Sequence, residues 1–480
     1  MQPYYLWFFK ELVSKKISTP LLIVVLIALI AVVGIAAWYL SLPPAAPPAP
    51  APTAPTPTQP AAPAARPKLV IWGRATFTPP QMYWVEKKVR EWAAKNNVDV
   101  EITWLAVADI GKKLIAAVEA GNPPDMVING HPVAIFVEQG LLLPVDDIIE
   151  KLNKSDIYEI KLQICKFGDH YYCLPTMFEA TWLHVRWDIV QKAGAEHMFP
   201  LKSLDDFYTV AKMLNNVEPG VYGIGLPLGL NGYDTWWTFL HFWGGYGGGM
   251  LTERSSAGVI MDKEPYRSAL KKAFEIERRI WLDKLTPPDS DQWVDASNNN
   301  AYLQGKIAMT MNPASIWYAL MTQNPELAAK TKLFLAPVSV DCGDESVFIF
   351  KTTKYPELAK DLFYYLFADK EDYRKGFCEA SGLYALPIFK SQMMVISKDW
   401  KAGKYPAFGE DPAAAVERIK FMETAAFPLG ERTSPSETFR EGFIWNEMIQ
   451  RVVIKGEDPD KVIDEYAAKL REKAKRVYGK

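Results

Sequence analysis

The chain has 480 residues, 49% of them apolar, and its 54 basic and 56 acidic side chains give a formal charge of −2. That length exceeds one ordinary hydrophobic core, so two or more lobes are expected. The charge balance offers no basic face for nucleic acid. The four cysteines contain no Cys-x-x-Cys, which argues against a zinc knuckle or a thioredoxin-type centre.

The chain opens with lysines at 10, 15 and 16, followed by "LLIVVLIALIAVVGIAAWYLSLP" at 21–43, and no charged residue occurs between Lys16 and Arg66. About 20 apolar residues span a ~30 Å hydrocarbon layer, and preceding lysines hold the amino end in the cytoplasm. The reading is a cytoplasmic segment at 1–19 and a single-pass anchor at 20–43, with a cleaved signal peptide as the alternative. The stretch at 44–67 is rich in Pro, Ala and Thr, and proline this dense favours extended polyproline II. It reads as a semi-rigid tether, which places a folded domain at 68–480 on the extracellular side of the cell membrane.

Past the tether the periodicity alternates. "KLVIWG" (68–73) is a short apolar run, and Met82, Val85, Val89 and Trp92 follow helical spacing. "VDVEITW" alternates as a strand with Val98, Val100, Ile102 and Trp104 on one face. Ile110, Leu114, Ala117 and Val118 return to helical spacing, closed by Gly121, and "PDMVING" is a further strand. Strand–helix–strand–helix–strand implies a parallel α/β sheet with right-handed crossovers. Ligands gather at the carboxyl ends of such strands. Those ends carry Trp72 and Arg74, then Asn129 and His131, each open to a second reading as a turn or cap residue.

Cys165 and Cys173 bracket "KFGDHYY", whose Gly-Asp centre predicts a hairpin with the two sulfurs opposite each other and bridged. Cys342 and Cys378 form a second candidate pair; four unpaired buried thiols are the alternative. "NGYDTWWTFLHFWGGYGGGM" (231–250) concentrates aromatic surface beside a nearly featureless glycine run. Trp236 and Trp237 open a helix there, and side chains at consecutive positions diverge by ~100°, so only one of the two easily faces any one surface. The remainder suits a packed core.

Catalytic signals are scarce. No Gly-x-Ser-x-Gly, His-Glu-x-x-His or Gly-x-x-x-x-Gly-Lys occurs, and no cofactor or metal is called for. "DSDQWVDASNNN" (289–300) imitates a calcium loop but lacks its glycine and distal glutamate, and reads as a solvated loop.

Five segments, in order, resemble the extracellular solute-binding proteins of ABC importers, in the sugar-binding branch that includes maltose-binding protein. They are "LIAAVEAGNPPDMVINGHPVAIFVEQGLLLPVDDII", "FGDHYYCLPTMFEATWLHVRWDIVQKAG", "AYLQGKIAMTMNPASIW", "SVFIFKTTKYPELAKDLFYYLFADKE" and "SGLYALP". The resemblance covers roughly residues 68–400 and implies a two-lobed periplasmic-binding-protein-like α/β fold with hinge strands. Lobe one is then about 68–177 and 337–380, and lobe two about 181–334 and 384–480. The crossings fall near 176–181, 334–337 and 381–384. It also implies a ligand cleft reached by Glu179, Asn312, Trp317 and Tyr384, beside Trp72, Arg74, Asn129, His131, Trp236 and Trp237. The partners implied are a sugar or oligosaccharide and ABC permease subunits in the membrane, with no bond chemistry. A peptide or polyamine binder and a tethered glycoside hydrolase are the alternatives.

Overall fold

The computed structural model describes residues 66–343 and 345–479. The anchor at 20–43 and all but the end of the tether at 44–67 lie outside the described residues. Among the described residues no helix is long and apolar enough to cross a membrane.

The strands used below are β1 (Lys68–Arg74), β2 (Asp99–Leu105), β3 (Met126–Gly130), β4 (Leu174–Pro175), β5 (Trp182–Arg186), β6 (Met309–Asn312), β7 (Thr331–Leu335), β8 (Ser339–Asp341), β9 (Ser346–Ile349) and β10 (Ile419–Met422). The helices are α1 (Pro79–Asn96), α2 (Ile110–Glu119), α3 (Ala134–Glu138), α4 (Tyr233–Gly245), α5 (Tyr266–Leu282), α6 (Ser297–Leu303), α7 (Lys390–Lys401), α8 (Ser434–Glu441), α9 (Ile444–Val453) and α10 (Pro459–Tyr478).

The first sheet has the order β2-β1-β3-β9-β4. β1 runs parallel to β2 and β3, while β9 is antiparallel to β3 and β4. α1 starts on paired prolines and buries Trp84, Val85, Val89 and Trp92 along one face. It ends where Asn97 turns left-handed, at φ 55°, and its N–H reaches Ala93 O. Gly73 in β1 is required by its neighbour, because a Cβ there would come within 2.5 Å of the Trp104 ring. The hairpin after residue 165 pairs Lys166 with Tyr171 and Phe167 with His170. Cys165 and Cys173 are bridged, with Cα atoms 5.1 Å apart.

A second sheet, β6-β5-β7, is antiparallel and carries its own core. α4 is apolar on every side, burying Tyr233 and all of 235–243, so it lies inside the second core instead of on its surface. Trp236 stacks on Trp445 at 4.9 Å and 12°, and Trp243 meets both edge-on. Of the glycine run, Gly248 serves a close approach, since a Cβ would fall 2.2 Å from Trp243.

The two cores make this a two-lobed α/β fold of the periplasmic-binding-protein kind. The chain leaves the first sheet after β4 and enters the second at β5; it returns between β7 and β9. Phe178 and Leu386 exchange backbone hydrogen bonds across the hinge, at 2.9 and 2.8 Å. Beyond that point the chain departs from the expected course. Ile388, Phe389, Met393 and Ile396 pack in the first core, and β10 pairs with β8. Residues of the second core resume only at Ala426. Residues of the first core thus run on to Ala425 before the second resumes.

Cys342 and Cys378 correct the second cysteine pair, because both are free thiols. Cys378 is sealed in the first core, whereas Cys342 packs against the second and donates to Glu179 Oε2 at 2.8 Å.

Candidate ligand cavity between the two halves

A cavity of about 40 Å³ is walled by residues of both halves. Arg74, at the carboxyl end of β1, is 3% exposed. Its Nη2 lies 3.1 Å from Glu179 Oε1 and 3.0 Å from Glu345 Oε1. The Tyr384 hydroxyl donates to the same Glu179 oxygen at 2.6 Å, and the Glu179 N–H donates to Asp341 Oδ1 at 2.8 Å. Asp341 is in turn paired with buried Lys161 at 2.6 Å. Glu179 is thus fixed at the hinge by four groups. Burial still pushes its carboxyl up, against the pull of Arg74.

The facing wall begins at the amino end of α4. Tyr233, Asp234 and Trp237 line the cavity, and Trp237 Nε1 donates to Val340 O at 3.2 Å. The Asp234 N–H donates to Asp295 Oδ1 at 3.2 Å. Burial drives Asp234 well above the usual carboxylate range, and Asp295 and Glu423 add repulsion. Burial raises Asp295 as well. Asn312, from β6, donates to Asn299 Oδ1 at 2.6 Å and to Ser315 Oγ at 3.2 Å.

Behind this wall stands Arg440 of α8. It grips Glu423 through Nε and Nη2 at 3.0 and 3.2 Å and reaches Glu441 through Nη1 at 2.9 Å. Its guanidinium lies over the Tyr233 ring, 4.3 Å from the centroid. Burial opposes ionisation of Glu441, yet His131 and Arg440, with the Tyr233 hydroxyl, hold it down at about 2.

Of the ten residues named from the sequence, Arg74, Glu179, Trp237, Asn312 and Tyr384 come together here. The other five stand elsewhere. Trp236 and Trp237 are both 2% exposed and in the second core, but Trp236 stacks on Trp445 and does not reach the cavity lining, whereas Trp237 does. Trp72 lines a surface hollow with Lys68 and Glu101. Trp317 lines another with Trp187 and Pro406. Asn129 accepts from the Thr176 hydroxyl at 2.6 Å, behind the cavity. His131 is buried 2.9 Å from Glu441.

Sequence reasoning missed Tyr233, Asp234, Asp295, Asn299, Glu345, Glu423 and Arg440. The stretch at 289–300 read as solvated instead supplies Asp295 and Asn299 to the wall, with Ser290, Trp293 and Asn298 buried behind. Asp234 is adjacent to the aromatic cluster in "NGYDTWW", the one signal that pointed to it. Among the described residues no His, Cys, Asp and Glu group could hold a metal ion.

Solved structures share the fold. A solute-binding protein of Thermotoga lettingae bound with α-D-tagatose superposes with a TM-score of 0.69 at 20% identity, covering 85% of this chain and all of that one. A sugar transporter protein of Arthrobacter chlorophenolicus with bound laminaribiose gives 0.67 at 15% identity, over 84% of this chain and 99% of that one. Among curated relatives, the maltotriose-binding protein of Pyrococcus abyssi is 27% identical over 162 residues. That match spans about a third of each chain, 34% of both. The model of the bacterial extracellular solute-binding proteins matches residues 76–373, more than half of the chain. The chain belongs to that family.

Proposed function

We propose that this chain is a membrane-anchored extracellular substrate-binding protein that captures a sugar or oligosaccharide between its two halves and delivers it to ABC permease subunits. As a solute-binding protein it is not an enzyme. One observation carries the sugar reading: both halves supply the walls of a single cavity that sets aromatic rings beside carboxylate, guanidinium and amide groups. Rings match the C–H faces of a pyranose, and the polar groups match its hydroxyl rim. The bound sugars named for the structural neighbours and the maltotriose of the curated relative support the same class.

Arg74, Glu179, Trp237, Asn312 and Tyr384 are the residues assigned to ligand contact. Lobe one comprises about 68–177 and 337–380, joined by 384–422 because Ile388, Phe389 and Met393 lie in the first core. Lobe two comprises about 181–334 and the segment from 426 onward. Ligand pockets run to roughly 300–1,000 Å³, so a cavity of about 40 Å³ admits a sugar only after the halves part. Capture is then reclosure, favoured because only the closed form touches the ligand from both sides.

The test is a thermal-shift screen of the full-length protein across mono- and oligosaccharides, followed by small-angle scattering with the best hit. The expected result is a raised Tm, by about 2.7 kcal/mol of added stability at a hundredfold ligand excess over Kd, and a smaller radius of gyration. No shift with any saccharide overturns the sugar reading, and release of reducing ends would identify a tethered hydrolase.

A further inference from the structure

Among the described residues lining the cavity, five carboxyl groups face two guanidinium groups. Arg74 is committed to Glu179 and Glu345, and Arg440 to Glu423 and Glu441, so each guanidinium is already matched twice over. Asp234 and Asp295 remain, side by side on the wall. Among the described residues no Lys or Arg lies within ion-pair distance of either, and Asp234 Oδ2 is buried with no partner at hydrogen-bond distance, although the Asn298 amide draws its carboxyl down. The amino end of α4, where both sit, supplies a partial charge of roughly +0.5, which cannot offset two carboxylates. Across the cavity, Arg74 Nε is likewise buried and unpartnered among the described residues.

A neutral hydroxyl satisfies a carboxylate's hydrogen-bonding need but leaves its charge unpaired, which is costly where water is scarce. An ammonium group satisfies both. A bare polyamine leaves the ring and amide surfaces of Tyr233, Trp237, Asn299 and Asn312 without hydroxyls or ring faces to meet. From this geometry we infer that the preferred ligand is a cationic carbohydrate, an amino sugar or amino-polyol. Its ammonium lies against Asp234 and Asp295, and a ring oxygen or hydroxyl faces Arg74 Nε. The inference rests on the capture reading above and deepens it. Burial pushes both Asp234 and Asp295 up; Asp295 and Glu423 add repulsion on Asp234 while Asn298 draws it down, and the Asp234 and Tyr233 N–H groups, with Arg440 and Arg74, draw Asp295 down, so a cation between the two would relieve the strain.

Calorimetry on the full-length protein tests it with glucose, N-acetylglucosamine and glucosamine, and with maltotriose, the triacetylated glucosamine trimer and the free-amine trimer. Spermidine serves as the amine without hydroxyls. The free-amine sugar is expected to bind about tenfold or more tighter than its N-acetyl and neutral counterparts. Asp234→Asn is expected to narrow that ratio to within about threefold, and Asp295→Asn provides the same reading should the first variant fail to fold. Neutral sugars binding as tightly as the amine overturn the inference and leave sugar capture standing. A loss in Asp234→Asn that is equal for amine and neutral sugars also overturns it, marking a structural role. Tightest binding of spermidine overturns both this inference and the sugar reading, as does no binding of any sugar.

Discussion

Glu437 caps Ile135 from the opposite half of the molecule. Its Oε2 accepts the Ile135 N–H and its Oε1 the Val133 N–H, both at 3.1 Å, at the start of α3. Val133 belongs to the first core and Phe439, two residues from Glu437, to the second. Next to this contact, Glu138 of α3 is held by Arg254, the Ser434 N–H and the Tyr478 hydroxyl. The carboxyl-terminal segment therefore fastens the two halves together away from the cavity.

That fastening is pH-sensitive in a defined direction. Burial pushes Glu437 up to about 7, against the pull of Arg432 and of the Ile135 N–H. A carboxyl raised on folding contributes stability that is full below its unfolded pKa and is lost as pH rises through the folded one. Relative to Glu437→Gln, which cannot titrate, the wild-type protein is expected to lose on the order of 1–3 kcal/mol between about pH 4.5 and pH 8. Melting curves of both proteins across that range measure it; parallel curves would contradict it.

The two adjacent tryptophans are expected to behave differently. Trp236→Ala removes a ring stacked on Trp445 and lowers stability by about 3–5 kcal/mol, with no selective effect on affinity. Trp237→Phe replaces the indole at the cavity wall with a smaller ring and deletes the N–H that donates to Val340 O, and is expected to weaken saccharide binding by about tenfold. Unfolding and calorimetry on each variant separate the roles, and affinity lost only at 236 would reverse them.

Glu277 of α5 is completely buried, and neither carboxyl oxygen has a hydrogen-bond partner among the described residues. Burial alone raises its pKa well above the usual range, favouring the neutral carboxyl. Its contribution again fades as pH rises. Glu277→Leu is expected to stabilise the protein by about 1–3 kcal/mol at pH 8, with the gain shrinking toward pH 4. Denaturant titrations at both pH values are decisive, since a gain independent of pH excludes this origin.

Opening the Cys165–Cys173 bridge is expected to lower stability by about 2–3 kcal/mol, read by comparing the Cys165→Ser/Cys173→Ser double variant with the parent. Alkylation of the unreduced, unfolded chain is expected to label two cysteines, Cys342 and Cys378. Labelling of none, or of all four, would refute the assignment.

The alternation from β1 to β3 was legible because Val85, Val89 and Trp92 obey one period and Val98, Val100 and Ile102 another. The hairpin of 165–173 was legible because its signal is local. The direction of the tryptophans was not, since a helix buried all round has no polar face to orient it. The charged wall was hidden for another reason. Arg74 meets a glutamate 105 residues away, and Tyr233 meets one 208 residues away. Arg440 and Glu423 lie in the carboxyl segment beyond 400, where no periodicity connects them with α4. Pairings made by tertiary folding leave no spacing to read.

β1 has a further bearing on how the protein can be handled. Lys68 and Arg74 are the two ends of one seven-residue strand, about 20 Å apart at ~3.3 Å per residue. Arg74 lines the cavity, so Lys68 begins the strand at the end away from it. Immobilising the domain through that end, on a bead or a sensor chip, is expected to leave saccharide binding intact. A graft at the opposite terminus would crowd Tyr478, one of the groups that fastens the halves shut.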